Sequence, residues 1–288
     1  NSDDNYIKII RFLFVHNEQK AIEVVQNSFL IKKTLILLKN QNSQGHNLAC
    51  SQAIKLISNI IYEAENNEVI GELIEPDFIE KVVIACLPHI NKYRDYITEE
   101  SLRLFTIISL NESMLNIAIS KGLERFIIGA LYILPDDLIG RLYVIINNIL
   151  ANNFLMQSTR IIKDPSFFKK TAQLISNGEL DDDDFDIVIT AIDMLNLDFW
   201  FNFVKYGVFD ALLFRINNCK YEVKTRICSL LLHLFNSGNE EFARNFCTES
   251  ILNLFFQMID DNSEISLEII PTLSMILSYD VELFYPIF

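Results

Sequence analysis

The chain has 288 residues, with 24 Lys and Arg against 38 Asp and Glu, a formal net charge of −14 and an isoelectric point near 4.7. Such a surface is a poor partner for double-stranded nucleic acid or an anionic membrane, which select clustered Lys and Arg; a basic protein or peptide is the partner this charge permits. Half the residues are hydrophobic, enough to supply a core and to exclude a disordered chain, yet no apolar run approaches the ~18 residues of a membrane-spanning helix.

The opening NSDDNYIK lacks the basic, apolar and small-residue order of a signal peptide. With Asn1 rather than Met at its head, the sequence is expected to lack the N-terminus of the natural chain. Beyond it, six apolar stretches begin at Phe29, Phe78, Leu123, Phe167, Val208 and Ile251, separated by 49, 45, 44, 41 and 43 residues. FLIKKTLILL at Phe29 is followed by a linker from Asn40 to His46. Ile54, Ile57 and Ile61 then recur at helical spacing. FIEKVVIACL at Phe78 leads to a second linker, Asn91 to Tyr96.

The next unit is the most complete. Glu112 to Ser120 reads as a short helix stopped at Lys121-Gly122, Leu123 to Leu134 as a second helix ended by Pro135, and Asp137 to Ala151 as a third and longest one. Asp136 and Asp137 are expected to cap that third helix and to place negative charge at its positive end. Pro165 precedes FFKKTAQLI, and the run Asp181 to Asp184 precedes DIVITAIDML. That run is read as the capped start of a helix in preference to a cation site.

Trp200, in LDFWFNF, reads as core packing between units. Gly207 precedes VFDALLFRI, and Ile227, Leu230, Leu231 and Leu234 continue the helical period. His233 interrupts that apolar face and is expected to hydrogen-bond a neighbouring backbone group. NEEFARNFC, ILNLFFQMI and SEISLEIIPTLSMIL close the chain with the same short, medium and long order, Pro271 being expected to kink or shorten the last helix.

A period of 41 to 49 residues with helices inside each unit marks a HEAT or armadillo solenoid, and the short, medium and long order favours the armadillo unit. The expected fold is all-α, an armadillo/HEAT-like right-handed superhelical solenoid of about six repeats, with residues 1–288 forming a single domain. Repeats of this kind bury apolar faces only against their neighbours and present a long groove in place of a pocket.

The sequence holds no Gly-rich phosphate loop, GxSxG, HExxH or CxxC. It is therefore read as non-enzymatic, with no catalytic residues, no cofactor and no metal. Cys50, Cys86, Cys219, Cys228 and Cys247 are odd in number and far apart, as reduced core thiols of a cytosolic or nuclear protein would be. His16, His46, His89 and His233 share no metal spacing.

The third helices of such a stack line a concave face, so one polar position per repeat makes a ladder. Counting back 16 residues from the opening of each second helix selects Asn59, Thr106 and Asn148. Asn196, in DMLNL, is a fourth member if the short link after it has lost residues. An amide offers both donors and an acceptor, which suits holding an extended peptide backbone.

Across nearly its whole length the chain resembles armadillo-repeat proteins, and within them importin-α. FVKYGVFDALL and SKGLERFIIGAL are similar to the family's first helix ending in Gly before an apolar second helix, and SNI and NNI fall where the family places its ladder asparagine. The resemblance implies a nuclear-import adaptor that takes a basic peptide in its groove and works in the cytoplasm, the nucleus or both. The family clamps lysine stems with a Trp one turn before each ladder Asn. Here Lys55 and Val144 occupy those positions, with Tyr143 one residue out of register. The alternative is a general armadillo scaffold or regulatory subunit for a partner unrelated to transport.

Overall fold

The computed structural model describes residues 23, 32–36, 46–66, 74, 76–90, 96–152, 160–177, 180, 182–195, 200–216, 218–237, 240–261 and 263–279. Among the described residues the regular structure is helical, with no strand, and no helix is long and apolar enough to cross a membrane. The chain divides into two compact units, Asn1–Ile161 and Ile162–Phe288.

The first unit holds α1 (His46–Asn66), α2 (Pro76–Ile90), α3 (Tyr96–Leu110), α4 (Glu112–Ser120), α5 (Leu123–Ile133) and α6 (Asp136–Ala151). Helices α1, α3 and α6 pack side by side with α3 in the middle, while α2 packs on α3 and α5. The apolar positions predicted by spacing on α1 form the seam together with residues of α3 and α6. Ile54, Ile57 and Ile61 of α1, Phe105 and Ile108 of α3, and Tyr143 and Ile146 of α6 are all fully buried. At roughly 1.5–3 kcal/mol for each large side chain removed from water, this seam is the main stabilising term.

Caps and turns fix where the helices begin. The Asn111 side chain accepts the Met114 N–H at 3.0 Å and so satisfies one of the open donors of α4. Gly122 has φ 92°, which lets the chain pass from α4 into α5 in a single tight turn; a side chain there would be strained. Helix α6 starts at Asp136, with Pro135 in the cap position and no side-chain cap hydrogen bond. Pro135, with its extended backbone, therefore takes the cap position expected of Asp136, and Asp137 adds negative charge in the first turn.

The second unit holds α7 (Pro165–Asn177), α8 (Asp182–Asp193), α9 (Trp200–Lys205), α10 (Val208–Ile216), α11 (Tyr221–Ser237), α12 (Glu240–Phe246), α13 (Glu249–Asp261) and α14 (Ser263–Tyr279). Here α8, α11 and α14 pack side by side around α11, α7 lies on α10, and α13 on α14. The core is aromatic. The Phe168 ring lies 5.2 Å from Phe167, 5.7 Å from Phe203 and 5.8 Å from Tyr206, and Phe235 meets Phe242 and Phe255. Asp164 accepts the Ser166 N–H at 2.9 Å and its hydroxyl at 2.6 Å, with Pro165 in the first helical position, where its missing N–H costs nothing.

The short, medium and long order is complete in α4–α5–α6, α9–α10–α11 and α12–α13–α14, whose lengths are 9, 11 and 16, 6, 9 and 17, and 7, 13 and 17 residues. Helix α14 runs through Pro271 for its full 17 residues, so the proline does not shorten it. Pro271 and Leu267 one turn earlier are both exposed, so the carbonyl left without a donor is on the solvent side of the helix, where water can serve it.

Candidate functional site

Polar contacts tie α3 to both of its neighbours and fix which residues share a face. Lys55 Nζ of α1 lies 2.9 Å from Glu100 Oε1, Arg141 Nη2 of α6 lies 3.5 Å from Glu99 Oε1, and Asn148 Nδ2 donates to Ser109 Oγ at 2.8 Å. Helical spacing from these anchors lines up Lys55 and Asn59 on α1, Glu99, Arg103 and Thr106 on α3, and Arg141, Val144 and Asn148 on α6. Asn59, Thr106 and Asn148 therefore share one face, each half-buried. Asn196 lies outside the described residues.

Their hydrogen-bonding capacity differs. Among the described residues the Asn59 amide has no partner, so both its donors and its acceptor are open. Asn148 spends one N–H on Ser109 and keeps the other N–H and its oxygen. Thr106 donates to the Leu102 carbonyl at 3.0 Å and retains only acceptor capacity. The face thus offers two amide rungs with a hydroxyl rung between them.

The second unit repeats the device with charges. Arg226 Nε of α11 donates to Asp186 Oδ1 of α8 at 2.9 Å, and two helical turns further on His233 Nδ1 meets Asp193 Oδ1. His233 and Asp193 are both about half exposed. The expected backbone partner of His233 is therefore replaced by a carboxylate on the adjacent helix. The stripe reads Asp183, Asp186, Thr190 and Asp193 on α8, and Glu222, Arg226, Ser229 and His233 on α11. Asp183 and Glu222 stand at the same end of it, one turn before the Asp186–Arg226 bridge, exposed and without a partner among the described residues. On the far side of α11, Thr272 Oγ1 of α14 lies 2.8 Å from Asn236 Oδ1.

Counting back from the next repeat missed Asp193 and His233; counting forward finds His233. The number of residues from Leu123, where α5 opens, to Asn148 equals that from Val208, where α10 opens, to His233. Arg141 and Arg226 match in the same way, each bound to an acid on the preceding third helix. A ladder position thus recurs in both units, occupied by Asn in one and His in the other.

Among the described residues no three His, Cys, Asp or Glu side chains are grouped as a metal site. Asp182 to Asp184 form the first turn of α8. Four of the five thiols are buried and Cys219 is half-buried. Burial pushes the Cys228 and Cys247 thiols up to about 12, helped at Cys228 by Glu268, and moves Cys86 further in the same direction.

The three-helix unit, with its third helices side by side, defines an armadillo-type repeat. No family model and no curated protein matches the sequence. Solved structures do match. Computationally designed armadillo repeat proteins for modular peptide recognition align over 85% of this chain and 98% of theirs, with TM-score 0.65 at 16% identity. A designed armadillo repeat protein in complex with the peptide (KR)4 aligns over 85% and 98%, with TM-score 0.63 at 17% identity. An engineered protein from a structural genomics programme aligns over 96% of this chain and 69% of its own, with TM-score 0.60 at 14% identity. At such identities the likeness is one of fold: the chain is an all-α armadillo-like solenoid, and its six described third helices, α1, α3, α6, α8, α11 and α14, match the expected number of repeats.

Proposed function

We propose that this chain is a non-enzymatic, protein-binding armadillo solenoid, acting as one repeat domain over residues 1–288, whose third-helix faces hold an extended peptide with basic side chains. The observation that carries the basic preference is the pair of unpaired exposed acids, Asp183 and Glu222, beside the Asp186–Arg226 bridge. A lysine or arginine brought there meets two carboxylates whose charge is not already spent on a neighbour, within an overall field of −14. Asn59 and Asn148, with open amide groups, supply the backbone rungs, Thr106 an acceptor between them, and Asn196 a fourth rung. The (KR)4 complex of a designed armadillo repeat protein of similar fold supports this reading.

The narrower form of this reading is an importin-α-like nuclear-import adaptor, in the cytoplasm, the nucleus or both, supported by FVKYGVFDALL and by the Asn of SNI and NNI. Lys55 and Val144 in place of tryptophan clamps favour the second form, a scaffold for a partner unrelated to transport. Each missing clamp removes a cation–π contact worth roughly 0.5–2 kcal/mol, so a basic peptide should bind in the micromolar range. The test is a titration of a fluorescent (KR)4 peptide against wild type, the Asn59→Ala, Asn148→Ala double variant and Glu222→Lys, at low and moderate salt. Wild type should bind with salt-sensitive affinity. The double variant should lose roughly tenfold, two neutral hydrogen bonds at ~0.5–1.5 kcal/mol each, and Glu222→Lys should also weaken binding. Equal affinity of all three proteins would refute the assigned faces. Absence of binding to wild type would refute the basic-peptide reading.

A further inference from the structure

The first unit carries the opposite electrostatic signature. Arg103 is exposed at the middle of the α3 stripe and has no ion-pair partner among the described residues. It falls one turn beyond Glu99 and Glu100, and both of those acids are already engaged, Glu99 by Arg141 and Glu100 by Lys55. Glu100 is also largely buried, its side chain only 10% exposed, so it offers little to a ligand. The residues level with Arg103 on the flanking helices are Asn59 and Val144, neither of which bears charge. The remaining acids of this face, Glu63 and Asp137, stand a turn or more away at opposite ends of it, the first at the C-terminal end of α1 and the second at the start of α6. The centre of the face is therefore an uncommitted guanidinium, with the Asn59 amide level with it on α1 and the Asn148 amide about one turn further along on α6.

We infer that the α1–α3–α6 face is a subsite for an acidic side chain of the bound peptide, with Arg103 as its specificity-determining residue. The inference rests on the peptide-binding reading above and departs from it in chemistry: the second unit takes a basic side chain at Asp183 and Glu222, the first takes a carboxylate at Arg103. A guanidinium presents paired donors in a fixed fork that matches a carboxylate, and the flanking amides can bond the peptide backbone on either side of the acidic residue. A lysine brought to the same place would meet Arg103 together with Lys55 and Arg141, whose own acids are occupied. The residue that this face takes is thus acidic.

The experiment uses three fluorescent octapeptides, (Glu-Ala)4, (Lys-Arg)4 and the neutral (Ser-Ala)4, titrated by anisotropy at about 0.15 M salt. There the Debye length of ~8 Å suppresses the long-range repulsion of an acidic probe by the net charge. The proteins are the full chain as wild type, Arg103→Ala, Arg103→Glu, Arg103→Lys and Glu222→Lys. Wild type should bind both charged peptides more tightly than the neutral one. Arg103→Ala should weaken (Glu-Ala)4 by roughly two- to fivefold, the size of one exposed ion pair, and Arg103→Glu by more. Arg103→Lys should restore part of the loss, and none of these changes should weaken (Lys-Arg)4. Glu222→Lys should do the reverse. If (Lys-Arg)4 binds and (Glu-Ala)4 does not, or if Arg103→Glu leaves (Glu-Ala)4 affinity unchanged, the acidic subsite is refuted while the peptide-binding reading stands. If wild type binds none of the three, that reading fails as well.

Discussion

Replacing Phe168 with alanine tests whether stability in this fold is local. The ring is 1% exposed and touches Phe167, Phe203 and Tyr206 at centroid distances of 5.2, 5.7 and 5.8 Å. It thereby ties α7 to α9 and the turn that follows it, while α7 also rests on α10. Truncating a buried Phe to Ala removes transfer energy and leaves a cavity, about 3–5 kcal/mol in all. That is a large part of the ~5–15 kcal/mol that holds a whole domain. In a linear stack each element depends on its neighbours, so the loss should stay near its source. Hydrogen exchange followed by mass spectrometry should show faster amides in α7, α9 and α10, with protection kept in α13 and α14. Uniform acceleration throughout both units, or a loss of stability below about 1 kcal/mol, would refute the local-stack account.

Two further outcomes follow from the buried polar groups. Lys55→Ala strips from Glu100 its ion-pair partner among the described residues; the Glu100 side chain is 10% exposed and its other oxygen is already unsatisfied. Leaving that acceptor buried should cost about 1–3 kcal/mol in a urea titration, and adding Glu100→Leu should recover most of it by removing the stranded charge; no recovery would mean that the ion pair is not what Lys55 contributes. The raised thiol pKa values of Cys86, Cys228 and Cys247 mean that the folded state keeps protons which the unfolded state releases. Their contribution is fully present below the ordinary thiol value near 9 and is lost as pH climbs from there towards 12. The urea midpoint should fall between pH 8 and pH 10.5, and fall less in a Cys228→Ala, Cys247→Ala variant; an unchanged alkaline slope in that variant would exclude the thiols as its source.

The repeat was legible because it is written in volume and period. Six apolar stretches at near-constant spacing, with Gly122, Pro165 and Gly207 at the joints, leave few ways to bury their faces except against one another, and the buried seams at Ile54–Ile61 and at Phe167–Phe168 follow. Helix ends were readable to within a residue or two where a local device sets them, as at Asn111 and Gly122. They were misread where two devices competed, as at Pro135 and Asp136, because a proline's extended backbone displaces the side chain that would otherwise cap. Whether Pro271 shortens its helix is not legible for a different reason. Its effect depends on which side of the helix loses a donor, and only the packing of α14 against α11 decides that.

The face was less legible because a ladder is defined between helices, and residue type alone does not carry it. Asn59 and Asn148 were visible as matching asparagines, yet the group that corresponds to Asn148 in the second unit is His233, a different side chain performing the same lateral link. Asn148 reaches Ser109 on the preceding third helix, and His233 reaches Asp193 on its own predecessor. Arg141 and Arg226 do likewise two turns earlier with Glu99 and Asp186. What recurs is a pair of cross-helix tethers two turns apart, and the residues that fill them vary with the charge of the unit. Those tethers use up most of the charges on both faces, which is why net charge alone misjudges the groove. Once they are taken out, Arg103 is what remains at the centre of one face and Asp183 with Glu222 at the end of the other, and a partner reads what remains.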